Sequence, residues 1–419
     1  MISRRQFLTI GGLSLTTFGF VERVLSQSKE KMLPKIKEMV KGIEPLSRSD
    51  YEARQEKARH LMADLGIDGL FLTPSPNLLY FTGVQWGRSE RTFGALLNRK
   101  KEPIWVCPSF ELERAKELIP SHQEIRTWEE HESPFALIAG IMKDLGVSKG
   151  KLALGPTVRF FVYFGLRQDA PHLEITNGAA VTEGCRGIKS AKEIKYMDLA
   201  NRITKLAYQE SFKHLHEGMT QRELADYVRQ AHQEMGVTGG GWPQFGPSSS
   251  FPHGSRKPRS LKRGDIVLID GGCSVQGYRS DVTRTIVFGK ASAKQIKLWN
   301  IVRQAQQAAY RAVRPGVTCE EIDQAARRVI EEAGFGPDYK YFSHRLGHGI
   351  GMEGHEYPYL VRGNKLKLQP GMTFSNEPGI YIHGEFGVRT EDCFVVTEDG
   401  YRVLGGMETV SISQPFAVD

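Results

Sequence analysis

The stretch Asp265–Gly289, DIVLIDGGCSVQGYRSDVTRTIVFG, decides how the chain is read. Ile266, Val267, Leu268 and Ile269 form a short apolar run that stops at Gly271-Gly272, the pattern of a buried strand. Thr283 to Phe288 is a second, β-branched run, and Gly277 marks a turn between the two. In an antiparallel hairpin, facing residues have numbers that sum to a constant. With the turn centred on Val275 and Gln276, Asp270 lies directly opposite Asp281. Like charges directly across two strands destabilise a sheet. At an effective dielectric near 20, one such pair at about 4 Å repels by roughly 4 kcal/mol. A cation between the carboxylates reverses that sign. Two solvated turn aspartates are the ordinary reading of such a pair, and the rest of the chain decides against it.

Downstream, Ser343-His344-Arg345-Leu346-Gly347-His348-Gly349-Ile350-Gly351-Met352-Glu353-Gly354-His355 holds three histidines at spacings of four and seven. A gap of four suits one helical face, but four glycines in the same segment oppose a helix. They favour a strand-loop whose backbone approaches a ligand closely. Met372 to Gly379 then ends an apolar strand on Glu377, and Gly387 to Asp392 opens another on Glu391. Asp270, Asp281, His348, Glu377 and Glu391 form an oxygen and nitrogen donor set without sulfur. Four carboxylates are neutralised by two divalent cations, and hard oxygen ligands lean towards manganese over cobalt or zinc. Two such ions about 3.5–4 Å apart are an arrangement for metal-assisted hydrolysis.

These elements sit inside an internal repeat. Gly218-Met219-Thr220-Gln221-Arg222-Glu223-Leu224 recurs 98 residues later, 218 to 316, as Gly316-Val317-Thr318-Cys319-Glu320-Glu321-Ile322. Each copy has a threonine three residues before a glutamate, the spacing of a capping box. Each follows a long helix, over Glu193 to His216 and over Ser292 to Val313, and precedes a strand-rich segment. The region from 188 to 419 therefore reads as two α/β halves related by a pseudo-twofold axis, with the site between them.

The remainder of the chain supports this centre. Residues 47–187 alternate helix and strand, beginning with a helix over Asp50 to Leu65 that Ser49-Asp50 caps and Gly66 ends. No cluster of titratable groups marks that α/β domain; Trp86, Arg88, Glu90 and Arg91 fall in a polar loop, either solvated or facing substrate. The first 26 residues read as an address: Ser3-Arg4-Arg5-Gln6-Phe7-Leu8 precedes a short, mildly apolar stretch and resembles a twin-arginine export signal. It predicts a periplasmic or secreted protein that meets the membrane only during export, with residues 27–46 as a tether. Composition agrees with a soluble chain of two to three domains: 419 residues, 40% hydrophobic and 25% charged. The net charge of +8 is scattered rather than gathered into a stripe, which excludes nucleic acid as the partner. Five widely spaced cysteines without CxxC spacing give neither a disulfide framework nor a thiolate metal site.

Taken together, the order and spacing of Asp, Asp, His, Glu and Glu resemble the pita-bread metallopeptidases, in the branch of prolidase, Xaa-Pro aminopeptidase and creatinase. The resemblance spans roughly residues 50–415, including Leu79-Tyr80-Phe81-Thr82-Gly83. It implies a creatinase-like N-terminal α/β domain followed by a pita-bread catalytic domain, a proline-containing peptide substrate, and a homodimer or higher homo-oligomer. Carried over residue by residue, Asp270, Asp281, His348, Glu377 and Glu391 hold two metal ions, with Asp281 and Glu391 shared by both. Glu377 moves a proton from the attacking water to the leaving nitrogen, and His355 stabilises the tetrahedral intermediate. His253, in Phe251-Pro252-His253-Gly254, meets the substrate beside the scissile bond, while His344 and Arg389 support substrate binding or the ligands themselves. Two rival readings are a creatinase-like hydrolase or lyase acting on a small amide, and a silent binding module. The complete ligand set opposes both.

Overall fold

The computed structural model describes residues 35–407 and 409–416, so the expected export signal lies outside the described residues. Two compact units are present: Pro45–Lys189, and Ser190–Asp419 together with the segment before Pro45. A helix over residues 35–41 (α1) opens the described chain. Ile36 within it is buried, and Tyr196 donates its hydroxyl to the Glu44 carbonyl at 2.6 Å. Residues 35–44 of the expected tether are therefore packed structure belonging to the catalytic unit.

The unit Pro45–Lys189 begins with α2 (Arg48–Asp64). Its cap is Ser47 rather than Ser49, because Ser47 completes a capping box with Asp50 and so satisfies two otherwise free donors. Next come β1 (Gly69–Leu72) and α3 (Pro76–Thr82), then β2 (Gly94–Asn98) and β3 (Ile104–Pro108). Helix α4 (Leu112–Leu118), β4 (Ile125–Trp128), α5 (Pro134–Asp144), β5 (Gly150–Leu154), α6 (Phe160–Asp169), β6 (Leu173–Asn177) and α7 (Ala179–Arg186) complete the unit. The six strands form one sheet in the order β4-β3-β2-β1-β5-β6, with β1 antiparallel to β2 and parallel to β5. Helices α5 and α6 cover it through a core that includes Phe71, Leu96, Ile138, Met142, Leu152 and Leu166. In the polar loop, Trp86 stacks on Phe93 at 4.1 Å and Arg91 pairs with Glu130, so both are anchored to their own unit.

The catalytic unit is built twice over. Helix α8 (Ala191–Phe212) starts at a Ser190 capping box, and α9 (Gln221–Glu234) starts at the Thr220 box. Strands β7 (Gly239–Phe245), β8 (Ile266–Val275), β9 (Tyr278–Arg279) and β10 (Val282–Val287) follow, with sheet order β10-β8-β7. In the second half, α10 (Ala293–Ala312) starts at Ser292 and α11 (Cys319–Glu332) at Thr318, both again with capping boxes. Strands β11 (Gly347–Gly349), β12 (Glu356–Leu360), β13 (Thr373–Asn376), β16 (Asp392–Val396) and β17 (Tyr401–Val403) form the second sheet, β12-β11-β13-β16-β17. Between β13 and β16 lies an extra hairpin, β14 (Gly379–Ile382) with β15 (Phe386–Arg389).

The equivalence reaches individual hydrogen bonds. Gly218 N–H donates to Leu261 O at 2.8 Å, and Gly316 N–H donates to Leu368 O at 2.9 Å. Leu261 N–H returns to Met219 O and Leu368 N–H to Val317 O, each at 2.8 Å. Ile266 to Ile269 are fully buried, each contributing roughly 1.5–3 kcal/mol by leaving water.

The register of the first hairpin corrects the sequence reading. Ser274 pairs with Arg279 and Val275 with Tyr278, so the turn residues are Gln276 and Gly277, at φ +49° and +82°. Two consecutive positive φ values are what a two-residue hairpin turn requires. Asp270 therefore faces Thr283, not Asp281. Asp281 lies two residues further along, diagonal to Asp270 on the same face of the hairpin.

Candidate metal centre

Each half presents its carboxylates from one hairpin: Asp270 within β8 and Asp281 just before β10, then Glu377 just after β13 and Glu391 just before β16. His348 comes from β11, which can lie close against β13 because Gly347 has no side chain. A Cβ there would sit 2.0 Å from the Ser375 carbonyl oxygen. The donor atoms fall into three interlocking groups: Asp270, Asp281 and Glu391; His348, Glu377 and Glu391; and Asp281, His348 and His355. Within each group the atoms lie within 4.8 Å of one another. All five ligands expected from the sequence are thereby brought together, and His355 joins them.

Electrostatics shows that this cluster fits cations. Burial pushes the Asp281 carboxyl well up, and the neighbouring Asp270 pushes it further. Burial likewise raises Glu391, reinforced by Asp281, Glu377 and Asp270. Carboxylates pushed this way hold protons unless positive charge replaces them. Glu377 behaves differently. Burial opposes its ionisation, but the hydrogen bond from a protonated His348 and the positive charges of His348 and Arg389 outweigh burial and hold it at about 2.

The imidazoles are sorted by their partners. His348 Nδ1 lies 3.1 Å from the Gly349 carbonyl, an acceptor only, so Nδ1 carries the proton. Its Nε2 points at Glu377 Oε1, 3.3 Å away, and Asp281 Oδ2, 3.8 Å away, the orientation of a metal-ligating histidine. Against burial, these carboxylates raise the His348 pKa, so Nε2 shares a proton with Glu377 until a cation displaces it. His344 has both nitrogens engaged. Nδ1 donates to Arg345 O at 2.8 Å, and Nε2 accepts from the Tyr381 hydroxyl at 2.8 Å. Burial keeps it neutral by lowering its pKa. His355 stacks on His348 with ring centroids 3.7 Å apart and is exposed on its other side. His253 stands outside the ligand groups, exposed along a groove of about 760 Å³ that also borders Trp242. A second cavity of about 650 Å³ runs from Trp242 past Gly272 to Asp281.

Arg389 is buried and donates from all three guanidinium nitrogens. Its Nη2 donates to Asp270 Oδ2 at 2.7 Å, its Nε to Thr283 Oγ1 at 3.0 Å, and its Nη1 to Tyr381 at 2.8 Å and Pro252 O at 2.9 Å. Of the roles expected for His344 and Arg389, these contacts match support of the ligands.

Several supporting residues escape a reading of the sequence. Thr283 donates to Glu391 Oε2 at 2.6 Å, and only the correct hairpin register points to it. Tyr381 links His344 to Arg389 from the extra hairpin, where no pattern singles it out. Asp323 and Arg327 form a buried ion pair on α11. Asp323 accepts from Leu346 N–H at 3.0 Å, and Arg327 donates to the carbonyls of Phe342 and His344. That clamp aligns the segment leading into His348. Behind Glu391, Asp392 is held by Arg284 at 2.7 Å and Lys205 at 2.8 Å, all three buried.

Comparison with known proteins places this geometry. Residues 54–188 match the creatinase/prolidase N-terminal domain, and residues 195–398 match metallopeptidase family M24. The Xaa-Pro dipeptidase of Lactobacillus helveticus is 35% identical over 357 residues, covering 83% of this chain and 95% of that protein. Among solved structures, dipeptidase PepE from Mycobacterium ulcerans superposes with a TM-score of 0.81 at 32% identity, covering 86% of this chain and 97% of that one. The prolidase of Thermococcus sibiricus gives 0.77 at 31% identity, covering 85% and 96%. With a double hairpin of carboxylates completed by His348, and relatives this similar along their whole length, the chain belongs to metallopeptidase family M24, whose members carry a dinuclear metal site.

Proposed function

We propose that the protein hydrolyses the Xaa-Pro bond of dipeptides, using two divalent ions held by Asp270, Asp281, His348, Glu377 and Glu391. The observation that carries this reading is the set of interlocking donor groups, with every ligand atom in a group within 4.8 Å of the others and no sulfur among them. Manganese is the first choice for so oxygen-rich a set, ahead of cobalt or zinc. When bound, such ions polarise the substrate carbonyl and lower the pKa of water to near neutrality.

The chain's own residues supply the rest. Glu377, held ionised, takes the proton released by the attacking water and returns it to the proline nitrogen as the C–N bond breaks. His355 donates to the carbonyl oxygen as it gains charge. His253, on the groove wall, meets the substrate flank. Arg389 and Tyr381 hold Asp270 and His344 in place. An Xaa-Pro amide suits this design because its nitrogen is tertiary and has no N–H to grip. A site that acts through the carbonyl oxygen and a water does not need that N–H. The similarity to dipeptidases over nearly their full length supports a dipeptide over a longer peptide.

The test is hydrolysis of Gly-Pro, Arg-Pro-Pro and creatine by chelator-stripped protein, before and after addition of manganese, cobalt or zinc. Manganese-restored cleavage of Gly-Pro above Arg-Pro-Pro is expected. Cleavage of creatine alone would instead establish the small-amide reading, and full activity in the stripped protein would overturn the metal mechanism.

A further inference from the structure

His355 lies close enough to Asp281 and His348 to act as a further metal ligand, yet the proposed function needs it as a hydrogen-bond donor. One contact separates these roles. The Arg345 guanidinium Nη2 lies 3.1 Å from His355 Nδ1. A guanidinium is a donor only, so a hydrogen bond here requires Nδ1 to be unprotonated. The neutral imidazole then carries its proton on Nε2. We propose that Arg345 is a positioning residue that sets the His355 tautomer, making Nε2–H a donor towards substrate and keeping this histidine off the metal. The inference rests on the site being a metallopeptidase centre.

The arrangement is the inverse of that at His348. There the Gly349 carbonyl accepts a hydrogen bond from Nδ1–H, which leaves Nε2 as the nitrogen whose lone pair would meet a metal. Were His355 to ligate through Nε2, its proton would move to Nδ1 and meet the Arg345 N–H, two donors face to face. Arg345 is itself braced, with its guanidinium carbon 4.3 Å from the centroid of the Tyr359 ring. Tyr359 is the β12 partner of His348 in the sheet register, so the ligand and the tautomer-setting arginine share one pair of strands. Stacking on His348 at 3.7 Å fixes the plane of the His355 ring, which leaves the proton position as its remaining freedom. A glycine-rich approach through Gly347, Gly349, Gly351 and Gly354 thus delivers two imidazoles of opposite tautomer, side by side, from one segment.

The experiment uses the full chain loaded with zinc, which is diamagnetic, and ¹⁵N-labelled at histidine. The His355 resonances are assigned by their loss in His355→Gln. In the parent protein, His355 is expected to show a protonated Nε2 and an unprotonated Nδ1. Arg345→Lys retains a donor and should keep both this pattern and the turnover to within a few-fold. Arg345→Glu offers an acceptor instead and should move the proton to Nδ1. Its kcat should fall about 10²-fold, the usual loss for an oxyanion donor, with KM little changed. A parent protein with Nδ1 protonated would overturn the proposal, as would Arg345→Glu with unchanged kcat and a moved proton. Turnover is measured on the manganese-loaded enzyme. If that form cleaves no Xaa-Pro dipeptide, the functional reading fails, while the nitrogen pattern of the zinc-loaded parent and the two arginine variants still decides the tautomer.

Discussion

Helices α9 and α11 start from the same threonine–glutamate box, and Leu224, Val228 and Ala231 of the first correspond to Ile322, Ala326 and Val329 of the second. Beyond that shared frame the two halves diverge in what they carry. The first half closes its hairpin with a two-residue turn and contributes two carboxylates, Asp270 and Asp281. In the second half β14 and β15 intervene, bringing Tyr381 and Arg389, and β11 adds the imidazole of His348. Where α9 has Ala225 and an exposed Arg229, α11 has the buried pair Asp323 and Arg327. The hydrogen-bonded frame is repeated, but the residues that aim the donors are not. A near-symmetric scaffold can therefore supply equal charge from both sides while placing both imidazoles of the donor groups on one.

The largest effect is expected where the halves meet as equals. Asp281→Ala and Glu391→Ala each remove a carboxylate from two neighbouring donor groups and leave the others repelling one another. Loss of an outer partner of a metal ligand already costs about 10–100-fold in metal affinity or activity, so loss of a shared ligand should exceed about 100-fold. Plasma emission for metal content, beside steady-state kinetics, measures both. Should one variant keep two ions per chain and the other lose them, the halves are not equivalent at the metals and the comparison breaks at its centre.

A smaller, structural effect separates the matching arginines. Arg327→Ala leaves Asp323 buried without its partner and frees the carbonyls of Phe342 and His344. Breaking a buried pair from one side typically costs about 3–5 kcal/mol. Arg229 is exposed and, among the described residues, pairs with Asp226 on its own helix, so Arg229→Ala should stay within about 0.5 kcal/mol. Urea unfolding midpoints of the two variants decide the matter, and equal shifts would show that the α11 clamp is no more than another surface contact.

These contrasts also mark how far the sequence can be read. Carboxylates set among apolar residues stand out, because a buried strand has no other reason to carry them. The four acidic members of the donor set emerge that way, while His348 stands out in a glycine-rich run of three histidines. The repeat is visible because capping boxes are short and local. The hairpin register is placed one residue early. A glutamine at positive φ is uncommon, so nothing local shows that Gln276 and Gly277 fill the turn rather than Val275 and Gln276. Asp323 and Arg327 are spaced four apart like an ordinary solvated helix pair, and nothing local distinguishes them. Arg345 sits ten residues from His355, and only the fold of β11 and β12 brings guanidinium to imidazole. Donor types follow from local pattern; proton positions and clamps depend on contacts between segments that no periodicity records.

The smallest predicted effect concerns a position near the end of the repeated helix, 232 in the first half and 330 in the second. His232 is completely buried, with Nδ1 donating to Val228 O at 2.8 Å and Nε2 3.4 Å from Thr204 Oγ1, whereas Ile330 fills the equivalent place with no titratable group. Burial lowers the His232 pKa from 6.5 to about 4. The folded protein therefore keeps this histidine neutral at a pH where the unfolded chain protonates it. Stability from this group is fully present above about pH 6.5 and is lost as pH falls towards about 4, on the order of 3 kcal/mol in all. His232→Ile copies the second half into the first. It should lower stability modestly at neutral pH by repacking, yet flatten the fall in unfolding free energy below pH 6.5 by up to about 1.4 kcal/mol per pH unit. Taking the difference between parent and variant at each pH removes the contribution of the metal-site carboxylates, which titrate in both. Parallel stability curves for the two proteins would mean that His232 takes up its proton equally in the folded and the unfolded chain, and that the two halves share acid sensitivity as well as backbone.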